Sequence, residues 1–196
     1  MTNFPALALL EFNSIATGIE AGDAMVKRAP VAQIVSGTVQ PGHYLVMVSG
    51  DVASVEEAVA AGEEIGSPTL RDTLFLPNVH PAVVAAVAGK TEQRLSDAVG
   101  IVESHTVASA IRAADAGLKG AEVALLTLRL ADGLGGKGLA IFTGVVADVE
   151  AAVEIATAVS GAQLIRQVII PQLHPEMAGN VLGYGRFGHH LNWESF

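Results

Sequence analysis

The sequence predicts an α+β fold made of two tandem domains, each a mostly antiparallel sheet with helices packed on it. Three observations carry that prediction. First, the chain of 196 residues repeats itself. At an offset of 92, positions 8–32 and 100–124 are identical at ten of twenty-five places, among them Glu11/Glu103, Ile19/Ile111, Asp23/Asp115 and Lys27/Lys119. After a two-residue insertion the match resumes at an offset of 94, pairing Gly50/Gly144, Val55/Val149, Pro77/Pro171, His80/His174 and Pro81/Pro175. Two copies of about 90 residues are near the usual size of a whole domain, whereas a short-period solenoid needs three or more copies. Second, each copy reads strand, helix, strand, strand, helix, strand and a final helix, the order of an antiparallel or mixed sheet with helices on it. Third, the chain is apolar (51%) and charge-poor (16%), with enough length for two small cores.

In the first copy, residues 5–12 cluster apolar groups as a strand does. Ser14 supplies an N-cap oxygen, and Ile15, Ile19, Met25 and Val26 form the apolar stripe of a helix. Residues 31–39 and 43–50 are two strands joined by the turn Gln40-Pro41-Gly42. Gly50 breaks the chain, and Val52, Val55, Val59 and Gly62 recur at helical spacing. A strand at 70–76 stops at Pro77, and His80 to Ala88 is a short Ala/Val-rich helix. The second copy places its elements at 98–104, 106–120 (capped by Thr106), 122–131, 138–145, 147–160, 163–170 and 174–181. Gly89 to Arg94 is a polar linker. The expected division is a first domain at 1–91, a second at 97–183 and a tail at 184–196.

Composition narrows function. A net charge of −9 argues against a duplex nucleic-acid binder, which needs a basic face to displace counterions. Cys is absent, which removes disulfides, thiolate metal sites and a cysteine nucleophile. The first basic residue is Lys27, so no signal-peptide n-region is expected, and apolar runs such as Leu139–Val146 are too short to span a bilayer. The expectation is a cytoplasmic protein that buries surface against copies of itself, with no membrane partner.

Candidate chemical motifs mostly fail their spacing tests. Gly133-Leu134-Gly135-Gly136-Lys137 lacks the first Gly and the Ser/Thr of a phosphate loop, so it is a flexible turn. His80 and His174 have no acidic or Cys partner at ligand spacing, which favours structural roles over metal ligation. No Ser sits in a nucleophile elbow, so no enzymatic set is expected. Glu11 and Glu103 lie inside strands, where pairing or a subunit seam suits them better than a catalytic dyad. The tail, with His189-His190 and Trp193, departs from the repeat.

Taken together, several segments resemble those of the bacterial microcompartment shell proteins, in their tandem-domain, trimer-forming class. Asp23-Ala24-Met25-Val26-Lys27 and Asp115-Ala116-Gly117-Leu118-Lys119 are similar to the family's helix with its edge lysine. Gly50 to Ala58 and Gly144 to Ala152 resemble its strand-to-helix signature. Ser36 to Gly42 and Ala131 to Lys137 resemble the pore-loop region, and Pro77-Asn78-Val79-His80 and Pro171-Gln172-Leu173-His174 the edge motif after the last strand. The resemblance implies a homotrimeric, pseudohexagonal tile. Its pore would be formed by Thr38, Val39, Gln40 and Pro41 with Asp132, Gly133 and Leu134. Its tile edge would carry Asp23, Lys27, Asn78, His80, Asp115, Lys119, Gln172 and His174. Implied partners are other shell proteins edge to edge, encapsulated enzymes, and small metabolites crossing the pore. Members with an iron–sulfur cluster in the pore carry Cys where Gln40 stands, so neither cluster nor other cofactor is expected here. The family's usual edge Arg is replaced by Asn78 and Gln172. The alternative class is a trimeric small-molecule sensor or carrier, since duplicated α+β domains also bind ligands between subunits.

Overall fold

The computed structural model describes residues 6–182. Its first half contains β1 (Ala6–Phe12), α1 (Ile15–Arg28), β2 (Gln33–Val39), β3 (His43–Gly50), α2 (Val52–Gly66), β4 (Leu70–Leu76) and α3 (Pro81–Val87). Its second half contains β5 (Ala98–Ser104), α4 (Val107–Gly120), β6 (Ala124–Leu130), β7 (Gly138–Gly144), α5 (Val146–Ser160), β8 (Leu164–Pro171) and α6 (Pro175–Leu182). The strands form two four-stranded antiparallel sheets of the same order, β2-β3-β1-β4 and β6-β7-β5-β8. Register agrees between them: Ala6 faces Gly50 as Ala98 faces Gly144, and Glu11 faces Asp72 as Glu103 faces Arg166.

Local chemistry sets the element ends. Ser14 accepts from the Thr17 N–H at 3.3 Å and Thr106 from the Ser109 N–H at 3.2 Å, so both expected caps form. Asp51 caps α2 through the Ser54 N–H at 2.9 Å, a cap the periodicity did not single out. His80 is not the first helical residue of α3 but its N-cap, with Pro81 at the first position, where a missing N–H costs nothing.

β1 is a continuous apolar run because both of its faces are covered. Ala8, Leu10 and Phe12 join Met25, Val46 and Val55 in the core of the first half. The alternate residues Leu7 and Leu9 join Leu74 and Val83 in a second core that continues into Val107, Ile111, Ala114 and Leu118 of α4. The two halves therefore share this second core. α2 approaches its sheet closely at Gly66, where an added Cβ would lie 2.2 Å from a Phe12 ring carbon.

The copies differ in cover. α4 buries ten residues; α1 buries four. Ile111 is 0% exposed and its counterpart Ile19 is 55% exposed, while Leu118 at 9% corresponds to Val26 at 41%. On the strand side, Leu74 is 1% exposed against 37% for Val168, and Val83 0% against 50% for Met177. Each chain thus has one helix-and-strand seam made internally, while the counterpart faces on α1 and on β8 with α6 stay more exposed.

Candidate functional site: the inter-repeat seam and the paired turns

Glu11 anchors the internal seam. It sits on the β1 face that carries Leu7 and Leu9, is 0% exposed, and points at the start of α4. One carboxylate oxygen accepts from the Val107 N–H at 2.9 Å, at the helix end where free N–H groups and the dipole favour an anion. The other accepts from Arg71 Nη1 at 2.7 Å. Arg71 also donates to His43 Nδ1 at 2.8 Å and to the His105 carbonyl at 2.7 Å, which ties β4 and β3 to the loop before α4. Burial pushes the Glu11 carboxyl above its ordinary pKa of 4.5, opposed by the Arg71 guanidinium and the N–H groups of Val107 and Ala108. Desolvation, then the Arg71 charge, pushes His43 below 6.5, as suits a ring nitrogen that accepts from Arg71.

A second polar group lies further along. Asp72 accepts from Thr106 Oγ1 at 2.5 Å and from Arg112 Nη2 at 3.3 Å, and Arg112 also donates to the Thr73 carbonyl at 2.6 Å. At the rim, the His80 N–H donates to Asp115 at 2.7 Å. Lys119 donates to the other Asp115 oxygen at 2.6 Å and to the Asn78 carbonyl. So four of the predicted edge residues, Asn78, His80, Asp115 and Lys119, meet at the mouth of the seam. Their counterparts stand apart. Asp23 and Lys27 pair with each other on exposed α1, while Gln172 and His174 are exposed after β8. His174 Nδ1 caps α6 through the Glu176 N–H at 3.3 Å. Nδ1 of His80 likewise accepts from the Ala82 N–H at 3.2 Å, and among the described residues no cluster of three or more His, Asp or Glu is placed to hold an ion.

The predicted pore residues occupy two turns that touch. Thr38 and Val39 end β2, opposite Tyr44 and His43, and Gln40 joins Pro41 through a cis peptide. The Gly42 N–H donates to the Val39 carbonyl at 2.9 Å and closes the turn. In the second copy the Leu134 N–H donates to the Ala131 carbonyl at 2.8 Å, and Gly133, Gly135 and Gly136 all adopt positive φ. A Cβ on Gly136 would lie 3.0 Å from Pro41 Cδ and 3.1 Å from the Gln40 carbonyl oxygen, so the turns of the two copies pack directly on each other. Thr38, Gln40, Pro41, Asp132 and Gly133 are exposed, and Val39 and Leu134 are half-buried.

Sequence reasoning expected Glu11 to be paired or at a subunit seam, and did not identify the residues around it within the chain. Arg71, His43, Asp72 and Arg112 come from three other elements, and no local pattern links them to it. Glu103, the Glu11 counterpart, accepts from Lys137 at 2.9 Å and is one-third exposed.

Two copies of one α+β unit, joined through a helix-to-strand seam and sharing a pair of apposed turns, define a fused double-domain protein of a known class. The BMC domain model matches residues 6–79 and 98–173, and the chain belongs to the bacterial microcompartment protein family. It is similar to the bacterial microcompartment shell protein PduT of Citrobacter freundii, 42% identical over 174 residues, spanning 88% of this chain and 95% of that one. A shorter match, 39% identical over 59 residues (30% of this chain, 54% of the other), is to the carboxysome shell protein CsoS1B of Halothiobacillus neapolitanus. The crystal structure of a microcompartment protein from Desulfitobacterium hafniense superposes with a TM-score of 0.76 at 40% identity, covering 89% of this chain and 98% of that one. Among the described residues no helix is long and apolar enough to cross a membrane.

Proposed function

We propose that the chain is a non-enzymatic structural tile of a bacterial microcompartment shell in the cytoplasm, closing as a homotrimer with pseudohexagonal outline around a central opening. One observation carries this reading: the internal seam is half of a repeating contact. α4 docks on β4 and α3 within the chain, while α1 and the β8–α6 face, built at the same sequence offsets, stay open. A head-to-tail contact of this kind makes a closed ring when its rotation closes and a filament when it does not. The internal seam sets the step from one domain to the next, and six such steps make a ring of three chains. In it, the Ile15 N–H of the next copy would meet Glu103 as the Val107 N–H meets Glu11.

The ring brings three copies of the paired turns together. Gln40 would contribute three amides, each donor and acceptor, and Asp132 three carboxylates, giving an opening that admits small uncharged polar metabolites and disfavours anions. The seam mouths, with Lys119 in one and Lys27 in the other, would lie on the tile edge. There a Lys stem packs along a flat neighbour while its ammonium meets carbonyls. Edge contacts can be individually weak, because a tile held on six sides gains from all of them together. Other shell proteins and encapsulated enzymes are the partners this role requires.

Electron microscopy of the purified protein tests the proposal. A shell tile forms extended sheets, tubes or strips with a hexagonal lattice. Discrete trimers at every concentration and salt condition would instead favour a small-molecule sensor or carrier.

A further inference from the structure

Several charged and apolar positions of the proposed seam between copies carry the same residue as the internal seam. Glu11 and Glu103, Ile111 and Ile19, Asp115 and Asp23, and Lys119 and Lys27 are identical pairs. One pair is reversed. In the internal seam the strand side carries the acid, Asp72, and the helix side carries the base, Arg112, 3.3 Å apart. The register that sets Asp72 opposite Glu11 sets Arg166 opposite Glu103, so Arg166 is the strand-side counterpart. The helix-side counterpart of Arg112 is Glu20, at the offset of 92 that relates α1 to α4. Both Glu20 and Arg166 are exposed in the single chain.

We propose that Glu20 of one copy and Arg166 of the next form an ion pair that closes the seam between copies, as Asp72 and Arg112 pair within each chain. This rests on the trimeric reading above. The internal seam already occupies Asp72 and Arg112, so the faces left to meet between copies carry Glu20 on the helix side and Arg166 on the strand side, and their charges are opposite. Like charges brought together in an interface cost far more than an exposed pair contributes.

Charge reversal tests the pair in the full chain. Glu20→Arg sets two guanidinium groups against each other across the seam between copies, and Arg166→Glu sets two carboxylates against each other there. Each should weaken trimers by about tenfold or more in dissociation concentration at low salt, and less at high salt. The double variant restores opposite charges and should return to within about threefold of the parent. Mixing the two single variants should also strengthen assembly relative to either alone, because a mixed ring regains two good seams out of three. Sedimentation velocity across a concentration series reads all four proteins. Circular dichroism checks folding, and the milder set Glu20→Gln and Arg166→Gln repeats the cycle if a reversed chain does not fold. Single variants that trimerise like the parent, or a double variant as weak as the two single losses combined, would overturn the pair while leaving the trimer standing. A parent that is not trimeric would instead remove the ring reading itself, and the pair with it.

Discussion

Glu11→Ala should be the most damaging single truncation at the internal seam. The carboxylate is fully buried, holds Arg71 at 2.7 Å, and accepts the Val107 N–H at 2.9 Å. Removing it leaves a guanidinium short of its counter-charge and a buried helix-start N–H without its acceptor. Breaking a buried pair by removing one partner costs about 3–5 kcal/mol. The lower part of that range applies here, because Arg71 is 22% exposed and keeps its bond to the His105 carbonyl at 2.7 Å. With about 2–4 °C lost per kcal/mol for a chain of this length, a cost of about 3–4 kcal/mol lowers Tm by about 6–16 °C. Glu11→Gln retains an acceptor for the N–H and should lose about half as much. The assay is thermal and urea unfolding at fixed protein concentration, since assembly shifts apparent stability. Arg71→Ala in the Glu11→Ala background should cost less than Arg71→Ala alone. An alanine variant within about 1 kcal/mol of the parent, or strictly additive losses, would refute the claim that this pair ties the two halves together.

Three further outcomes follow from the same geometry. Lys27→Ala and Lys119→Ala, separately and together, should leave trimers intact and weaken sheet formation seen by electron microscopy; a double variant that tiles as well as the parent contradicts the edge role. Gly66→Ala forces a Cβ to within 2.2 Å of the buried Phe12 ring and should destabilise by about 1–3 kcal/mol in urea titration, an effect that a smaller ring-side residue at position 12 would relieve. The seam should also carry opposed pH dependences. His43 is held below 6.5, so its contribution is present above that pH and lost as pH falls through its folded value, whereas Glu11 is held above 4.5, so its contribution is full below that pH and lost as pH rises through its folded value. His43→Gln should therefore flatten the fall in stability on acidification between about pH 8 and pH 5, measured by urea unfolding at each pH.

Much of the architecture was legible because it rests on local signals written twice. The apolar run of β1 and the caps Ser14 and Thr106 each occur at a fixed offset from a partner, so each copy vouched for the other, while the turn at Gln40-Pro41-Gly42 was marked by its own Pro and Gly. What the periodicity missed has physical causes. α5 begins at Val146, a residue earlier than expected, because Val145 starts it without a side-chain cap that would mark the position. β6 begins at Ala124 rather than at 122 and carries a register shift between Leu125 and Thr127 that alternation alone does not reveal. The seam was hidden for a different reason. Periodicity tells which face of a strand is covered, not by what, and Arg71 lies 60 residues from Glu11 in sequence. One signal was present and unused: α4 carries Ala108, Ala110, Ala113, Ala114 and Gly117, small residues on several sides of one helix, as a helix packed on more than one face requires. The reversed charges at Glu20/Arg112 and Asp72/Arg166 gained meaning only once the register placed them in one contact. The expectations for the tail, including His189-His190 and Trp193, lie outside the described residues.

The central claim is that the open halves of the second seam close on one another in a ring of three chains. Native mass spectrometry of the purified protein at low micromolar concentration tests it most directly. The account predicts one dominant species of three 20.1 kDa chains, about 60 kDa, dissociating to monomers without stable dimers. A dominant monomer, or a closed assembly of six chains, would contradict it.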